Sequence, residues 1–226
     1  ANRGKKSVTI DITRSEGQDI IRQLALQSDV LIENYKVDGL AKYGLDYSAL
    51  KKINPKLIYC SITGFGQTGP YANRPGYDFL IQGMGGLMSI TGEPDSSDNK
   101  TAGPVKVGVA VTDLFTGLYA ANAIQGALLE RNQSGVGQYI DLALLDVQAA
   151  VLANQASNYL IGKVVPERLG NAHPNIVPYQ AFATADSHII IAVGNDQQFA
   201  RFCKVIESPL MAEDPLYASN ANRVHN

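Results

Sequence analysis

An aspartate inside an apolar run is the residue of this sequence best placed to do chemistry. Asp146 lies in the run GQYIDLALLDVQAA, residues 137–150. Its pattern predicts a buried strand from Tyr139 to Leu144 and an apolar helix from Leu145 to about Leu160. Asp146 therefore falls in the first helical turn, where free backbone N–H groups and the helix dipole favour an ionised carboxylate. The apolar neighbours argue against an ordinary solvated surface residue. The pattern fits both an aspartate that only caps the helix and one that takes part in a reaction.

A glycine motif points to a different chemistry. Residues 64–69, GFGQTG, match G-x-G-x-x-G and directly follow the predicted strand Leu57–Thr63, as in the dinucleotide fingerprint of an NAD-dependent dehydrogenase. That fingerprint needs a helix that opens within the glycines, and an acid about 20 residues further on after a second strand. Here a loop with Pro70 and Pro75 follows instead. The glycines more simply let the backbone approach a ligand or neighbouring subunit closely, or form turns.

The elements that would position these residues alternate between strand and helix, which favours a parallel α/β architecture. The predicted strands are Ser7–Ile12, Val30–Ile32, Leu57–Ile62 and His188–Val193. Short helices are predicted around 39–43 and 47–53, and a helix capped by Asn195 is predicted near the end.

Three further stretches carry specific expectations. Ser15-Glu16-Gly17-Gln18 has the spacing of a capping box at a helix start. Apolar residues from Val111 to Leu129 recur at helical spacing, which predicts a long core helix. Residues 92–106 are polar and rich in Gly and Pro, which predicts a surface loop.

Composition excludes several classes of function. A formal net charge of −2 over 226 residues gives no basis for binding nucleic acid or a membrane surface. No apolar run reaches the roughly 18 residues of a transmembrane helix. Cys60 and Cys203 are too few for a disulfide framework or a zinc site, so a reducing compartment is the default. We expect a cytoplasmic protein, or a mitochondrial or peroxisomal one in a eukaryote.

Several blocks of the sequence resemble the family III CoA-transferases, in the order and at the spacing of that family. The blocks are Asp29–Tyr35, Asn54–Tyr71, Arg74–Asp78 and the Asp146 run. The match covers the chain but begins partway into the family pattern and stops before its end. We therefore expect a fragment that lacks the N-terminal βαβ unit of the family.

The resemblance implies an α/β fold with a Rossmann-like parallel sheet and an interlinked homodimer. It places the large domain at residues 1–165, a linker at 166–185 and the start of a smaller α/β domain at 186–226. It also implies transfer of CoA from an acyl-CoA to a small carboxylic acid, with coenzyme A as a substrate and with no tightly bound cofactor or metal. An aspartate has an ordinary pKa of about 3.9, so the nucleophile would need no separate base.

The resemblance assigns five site residues. Asp146 would be the nucleophile, forming a mixed anhydride and then an aspartyl-CoA thioester. Asn34, Tyr35 and Lys42 would contact CoA, and Tyr77 would lie near the thioester. For Lys42 a solvated surface role stays open, and for Tyr77 a core role does.

Two alternatives stay open beside CoA transfer. Racemases of 2-methylacyl-CoA share this fold and carry a histidine where Tyr77 stands; a phenol with a pKa of about 10 is a poor proton shuttle at neutral pH. A non-catalytic CoA-binding fragment is the other alternative.

Within the family, three segments resemble the succinyl-CoA:glutarate branch, namely 158–162, 168–182 and 197–200. This suggests succinyl-CoA or another dicarboxylyl-CoA as the donor. Arg168 or His173 would then pair with the distal carboxylate, although a structural or surface role stays open for each. Relatives also imply a mobile loop near Gly170 and Asn171.

Overall fold

The computed structural model describes residues 2–95 and 103–226. They form two compact units, the first made of residues 2–87 and 106–164 and the second of 88–95, 103–105 and 165–226. Residues 96–102 of the loop predicted at 92–106 lie outside the described residues. The predicted domain bounds stay a prediction.

The first unit contains a parallel sheet of three strands in the order β1 (Val30–Glu33), β2 (Ile58–Thr63) and β3 (Tyr139–Ala143). The register pairs Glu33 with Ser61 and Ser61 with Asp141, so all three strands end at the same edge. Its helices are α1 (Ser15–Gln27), α2 (Tyr47–Ile53), α3 (Asp78–Met84), α4 (Val111–Ser134), α5 (Leu144–Val151) and α6 (Ala153–Leu160). The predicted parallel α/β class is confirmed.

The second unit contains an antiparallel pair, β4 (Tyr179–Ala183) and β5 (His188–Ala192), followed by α7 (Asp196–Val205) and α8 (Asn220–His225). The predicted cap of α7 is confirmed, because the Asn195 side chain accepts a hydrogen bond from Gln198 N at 2.9 Å. The Arg223 side chain is almost fully buried in this unit and donates to Asp196, Val177 O and Tyr217 O.

The core of the first unit explains the apolar run of β2. Ile58 and Cys60 are fully buried, as expected for a central strand covered on both faces. Tyr59 joins a cluster with Leu45, Leu50 and Leu57, and its hydroxyl donates to Leu45 O at 3.0 Å. This cluster packs α2 against the sheet.

The strand predicted at residues 7–12 and the capping box at 15–18 are wrong, although the predicted helix does begin there, as α1. No described strand pairs with residues 7–12, and alternation alone cannot form a strand without a neighbour to complete its hydrogen bonds. The capping box is also absent, since α1 begins at Ser15 after Arg14 and has no side-chain cap. The Gln18 side chain instead donates to Ile12 O at 3.2 Å.

The long helix predicted from Val111 onward is confirmed as α4, but the face that it buries differs from the prediction. Thr112, Thr116, Ala120 and Ala127 are its buried residues, because small side chains let the helix lie close to β2, β3 and α5. The large apolar side chains are exposed, Leu118 to 65%.

The single helix predicted from Leu145 to Leu160 is also wrong. It is divided into α5 and α6 at Leu152, with Ala153 at a φ of 48°. A non-glycine residue in this left-handed region marks a true break in the helix. Asp146 therefore belongs to a short helix of eight residues rather than to a long one.

Candidate active site

The site is built where the three parallel strands end, the edge at which open α/β sheets bind ligands. Asn34 follows β1, Gly64 follows β2 and α5 follows β3. The Asn34 side chain donates to Ile62 O at 2.6 Å, and Leu145 N donates to Gly64 O at 3.1 Å. These two bonds join the three strand ends into one surface.

Asp146 is the third residue of α5 and its side chain is exposed, although the next residue, Val147, is buried. Among the described residues none donates a hydrogen bond to its carboxylate, so the structure gives no support to a plain helix cap. The position in the first turn favours negative charge through the helix dipole. The carboxylate is thus placed to meet a ligand.

The glycine loop after β2 is fixed against the end of β3. Thr63 Oγ1 accepts from Gly66 N at 2.9 Å, and the Asp141 carboxylate accepts from Gln67 N at 3.0 Å. No helix opens within residues 64–69, since the next helix, α3, begins at Asp78. The geometry therefore lacks the helix N-terminus that a dinucleotide fingerprint needs, and the dehydrogenase alternative loses its basis.

The loop returns to the sheet through a backbone contact between two glycines. A Cβ on Gly64 would lie 2.4 Å from Gly76 Cα, and a Cβ on Gly76 would lie 2.3 Å from Gly64 Cα. Real Cβ atoms do not approach other atoms so closely, so both positions need glycine. The contact fixes the backbone just before Tyr77, whose side chain is 74% exposed at the start of α3.

Asp78 anchors the helix that Tyr77 precedes. One carboxylate oxygen accepts from Thr112 N at 2.8 Å, which satisfies a free donor at the start of α4. The other oxygen accepts from Gln82 Nε2 at 2.7 Å. Thr112 Oγ1 in turn donates to Gln148 Oε1 at 2.6 Å, so a polar chain links α3 and α4 to α5, the helix of Asp146.

A cavity of about 190 Å³ lies at this edge and brings together three of the five predicted site residues, Asn34, Tyr35 and Tyr77. Its other lining residues are Lys36, Val37, Thr63, Gly64, Ala72, Asn73, Arg74, Pro75 and Gly76. Asp146 is not a lining residue, but Gly64 bonds to its neighbour Leu145. Asp146 therefore lies one residue from the hydrogen bond between Leu145 and this lining residue.

Lys42 is not brought into this cavity. It lies in a 3-10 turn, Ala41–Tyr43, with its Nζ 4.7 Å from the centre of the Tyr43 ring. Its assignment to CoA stays a prediction. Lys36 and Arg74 also line the cavity, although the sequence analysis did not name them as site residues. The sequence offered one signal for them, since Lys36 directly follows the block Asp29–Tyr35 and Arg74 begins the block Arg74–Asp78.

A second cavity of about 250 Å³ lies near the end of β1. Tyr47, Tyr59 and Tyr139 line it and contact one another, and Glu33 and Asp46 are among its other lining residues. Burial is the main cause that raises the pKa values of Tyr59 and Tyr139 above their ordinary range. These phenols stay protonated at neutral pH and serve as hydrogen-bonding and stacking groups.

Within the second unit, the side chain of Arg168 already has partners. Its guanidinium pairs with Asp95 and donates through Nε to Glu93 O at 3.2 Å. Gly170 N donates to Gly92 O at 2.9 Å, and His173 Nδ1 accepts from Asn175 N at 3.0 Å. Arg168 is thus already neutralised by a carboxylate of the chain, which weakens its predicted role toward a substrate carboxylate.

The described residues contain neither a metal-ion cluster nor a membrane-spanning helix. No cluster of three or more His, Cys, Asp or Glu side chains there is arranged to hold a metal ion. None of the described helices has the length and apolar character needed to cross a membrane. Cys60 is buried, and burial with nearby Glu33 raises the pKa of its thiol to about 11.

Comparison with known proteins identifies the class to which this fold and edge belong. The family model described as CoA-transferase family III matches residues 1–226, so the chain belongs to that family. It is 59% identical over 223 residues to the succinate–glutarate CoA-transferase of Agrobacterium fabrum, covering 99% of the chain and 54% of that protein. It is 47% identical over 225 residues to the human succinyl-CoA:glutarate CoA-transferase, covering 100% of the chain and 50% of that protein.

A solved structure gives the same assignment. A CAIB/BAIF family protein from Brucella suis superposes with a TM-score of 0.79 at 55% identity, over 99% of this chain and 57% of that one. The chain thus spans about half the length of the relatives it matches. The resemblance to the family, and to its succinyl-CoA:glutarate branch, is confirmed.

Proposed function

We propose that the protein transfers CoA from an acyl-CoA donor to a free carboxylate through a covalent intermediate on Asp146. The observation that carries the proposal is the exposed carboxylate of Asp146 at the carboxyl edge of the sheet, to which no described residue donates a hydrogen bond, near the cavity that Tyr77 lines. Family membership and the names of the relatives support the reaction class.

The reaction divides into four exchanges, each of which forms one activated acyl bond and breaks another. The Asp146 carboxylate attacks the donor thioester, the C–S bond breaks, and CoA leaves as a thiolate from a mixed anhydride. The thiolate then attacks the aspartyl carbonyl, which forms an aspartyl-CoA thioester and releases the donor acid. The acceptor carboxylate attacks that thioester, which forms the second anhydride and releases the CoA thiolate. The thiolate finally attacks the acceptor carbonyl of this anhydride, which forms the new acyl-CoA and restores Asp146.

The residues of the cavity supply positioning rather than proton transfer. Asn34, Tyr35 and Tyr77 line it, and we assign them contacts with the acyl-CoA. No histidine is among the lining residues, so a racemase would have to move its proton with the phenol of Tyr77. A phenol is a poorer proton shuttle at neutral pH than an imidazole, which favours the transferase over the racemase.

The substrate class is part of the proposal. The relatives named above use succinyl-CoA, succinate or glutarate by their names, and a further relative is an acetyl-CoA:oxalate CoA-transferase at 36% identity. We therefore propose a dicarboxylyl-CoA donor and a dicarboxylate acceptor. We also carry the homodimer as a proposal, which the mass of the protein in solution would test.

The experiment is mass spectrometry of the protein after mixing with succinyl-CoA. We expect a CoA adduct on the peptide that contains Asp146, removable by hydroxylamine and absent from Asp146→Asn. The control is Asp19→Asn, an exposed helical acid of the same unit that pairs with Arg22, and it should keep the adduct. A protein that binds CoA but gives no adduct with any acyl-CoA tested would overturn the proposal and favour a non-catalytic CoA-binding role.

A further inference from the structure

One fully buried side chain of the first unit has a polar group that is not hydrogen-bonded. Gln148 belongs to the buried residues of α5 and has no exposed surface. Its Oε1 accepts from Thr112 Oγ1 at 2.6 Å, but no described residue accepts a hydrogen bond from its Nε2. A buried donor without an acceptor destabilises the folded state. An apolar side chain of similar size would avoid that cost, so stability alone does not account for glutamine at this position.

The hydrocarbon part of Gln148 supports the end of α3. A Cβ on Gly85, the residue that follows α3, would lie 2.3 Å from Gln148 Cγ and 3.2 Å from Gln148 Cβ. It would also lie 2.9 Å from Ile81 O, a backbone atom. Glycine alone permits this approach, so the backbone at the end of α3 lies directly against the Gln148 side chain.

The start of α3 is joined to the same side chain through α4. The Asp78 carboxylate accepts from Thr112 N at 2.8 Å, and the Thr112 hydroxyl is the group that bonds to Gln148. Between the two ends of α3, the fully buried Gln82 donates to Asp78 and accepts from Val107 N at 2.9 Å. A continuous chain of polar groups therefore joins α3, α4 and α5, and Gln148 is its member on α5.

This polar chain connects the elements that carry two of the proposed site residues. Because β2 and β3 are parallel, the chain between them must return from the carboxyl edge, and α4 makes most of that return. Tyr77 immediately precedes α3, and Asp146 lies two positions before Gln148 on α5. The place of Asp146 relative to Tyr77 therefore depends on how α3, α4 and α5 are joined.

We infer that Gln148, through its hydrogen bond with Thr112, is a positioning residue that holds the start of α5 in place relative to the start of α3. This inference rests on the proposed function and adds a residue that serves the reaction without contacting the substrate. Gln148 is fully buried and does not line the 190 Å³ cavity, so it acts only through its neighbours. The glutamine is needed for the acceptor oxygen that it presents to Thr112, and its second amide group stays without a partner as a consequence.

The test separates stability from turnover with variants that keep the shape of the core, in the longest form of the protein that expresses. Gln148→Met removes the amide, Thr112→Val removes the hydroxyl, and the double variant removes both partners. Replacing both partners by apolar groups of the same shape is nearly neutral or stabilising, so the double variant should unfold in urea no earlier than wild type. Its kcat for CoA transfer should nevertheless fall about 10- to 100-fold, because small displacements of a reacting group are costly. KM for succinyl-CoA should stay near the wild-type value, since Gln148 lines no part of the cavity.

Two comparisons identify the hydrogen bond itself as the cause. Thr112→Ser keeps the hydroxyl and should keep most of the wild-type kcat, whereas Thr112→Val should not. Gln148→Met should cause no further loss of kcat in the Thr112→Val background, because both changes remove the same bond. The matched control is Gln133→Met, an exposed glutamine near the end of α4, which should change neither kcat nor the urea midpoint.

Three results would overturn the inference. They are a wild-type kcat in the double variant, losses of kcat that multiply when the two changes are combined, and a fall of kcat that accompanies an equal loss of stability, which indicates a structural role alone. Gln148→Leu carries the same expectations as Gln148→Met and replaces it if that variant does not fold.

Hydrogen exchange separates this inference from the proposed function, because it needs no turnover. Peptides that cover the starts of α3 and α5 should exchange faster in the double variant than in wild type or in Gln133→Met. If wild-type protein shows no transfer and no adduct but this difference appears, the proposed function fails and the positioning of the helices stands. If transfer occurs and the double variant matches wild type in both kcat and exchange, the inference fails and the proposed function stands.

Discussion

Replacing Gly64 by alanine tests whether the contact between two glycines holds the site together. The new Cβ would lie 2.4 Å from Gly76 Cα and 2.7 Å from Gly76 N, and both neighbours are backbone atoms that no rotamer change can move. An ordinary contact begins near 3.4 Å, so the two segments must separate by about 1 Å. Overpacking of this kind costs about 1–3 kcal/mol. Because Tyr77 follows Gly76, the same shift would move Tyr77 away from the strand ends.

Urea denaturation measures the loss of stability, and kcat/KM for CoA transfer measures the displacement of the site. The matched control is Gly126→Ala, an exposed glycine within α4 whose Cβ would meet nothing within 4 Å. That change should leave the protein as stable as before or stabilise it by up to about 1 kcal/mol, since alanine favours a helix over glycine. If Gly64→Ala unfolds at the same urea concentration as wild type and keeps full activity, the two backbones do not meet as described.

Three further predictions concern other parts of the molecule. Arg223→Met should lower the stability of the second unit by about 2–4 kcal/mol, because it leaves Val177 O and Tyr217 O without their donor; a thermal midpoint equal to that of wild type would contradict this. The Cys60 thiol, with a pKa raised to about 11, should react with a thiol reagent at pH 8 only as the protein unfolds. Because the folded state holds that proton more tightly than the unfolded state, this group's contribution to stability falls as pH rises from about 9 toward 11, which denaturation at several pH values would reveal. Asp78→Ala should cost about 1–2 kcal/mol through lost capping of α4, with Asp19→Ala as the exposed control, and equal urea midpoints for both variants would refute the capping role.

The sequence predicted best those elements that are determined by residues close together in the chain. The apolar run of Leu57–Ile62 is β2 within one residue at each end, and Asp146 lies in the first turn of a helix after β3. The alternation of residues 7–12 failed, because a strand also needs a partner and none of the described strands lies there. The buried face of α4 failed for a related reason. Apolar periodicity identifies a helix, but close approach to the sheet selected threonine and alanine.

The two charged residues that line the 190 Å³ cavity show the limit of sequence reasoning about the site. Lys36 and Arg74 are far apart in the chain and match no motif by themselves. Both line one cavity because β1 and β2 end at the same edge, and because Gly64 and Gly76 let the loop after β2 fold back. Asn34, Tyr35 and Tyr77 were identified by resemblance to the family, whereas Lys36 and Arg74 were identified only because they line the same cavity.

The exposure of the Asp146 carboxylate bears on the fate of an acyl-enzyme. In the proposed mechanism, water that reaches this side chain would compete with CoA and with the acceptor for the same anhydride, and the product of that competition would be a free acid. A form of the protein that leaves Asp146 as open as here would act in part as a thioesterase. The partition ratio, free acid produced per acyl-CoA product, therefore measures how fully a working form of the protein covers its nucleophile during turnover.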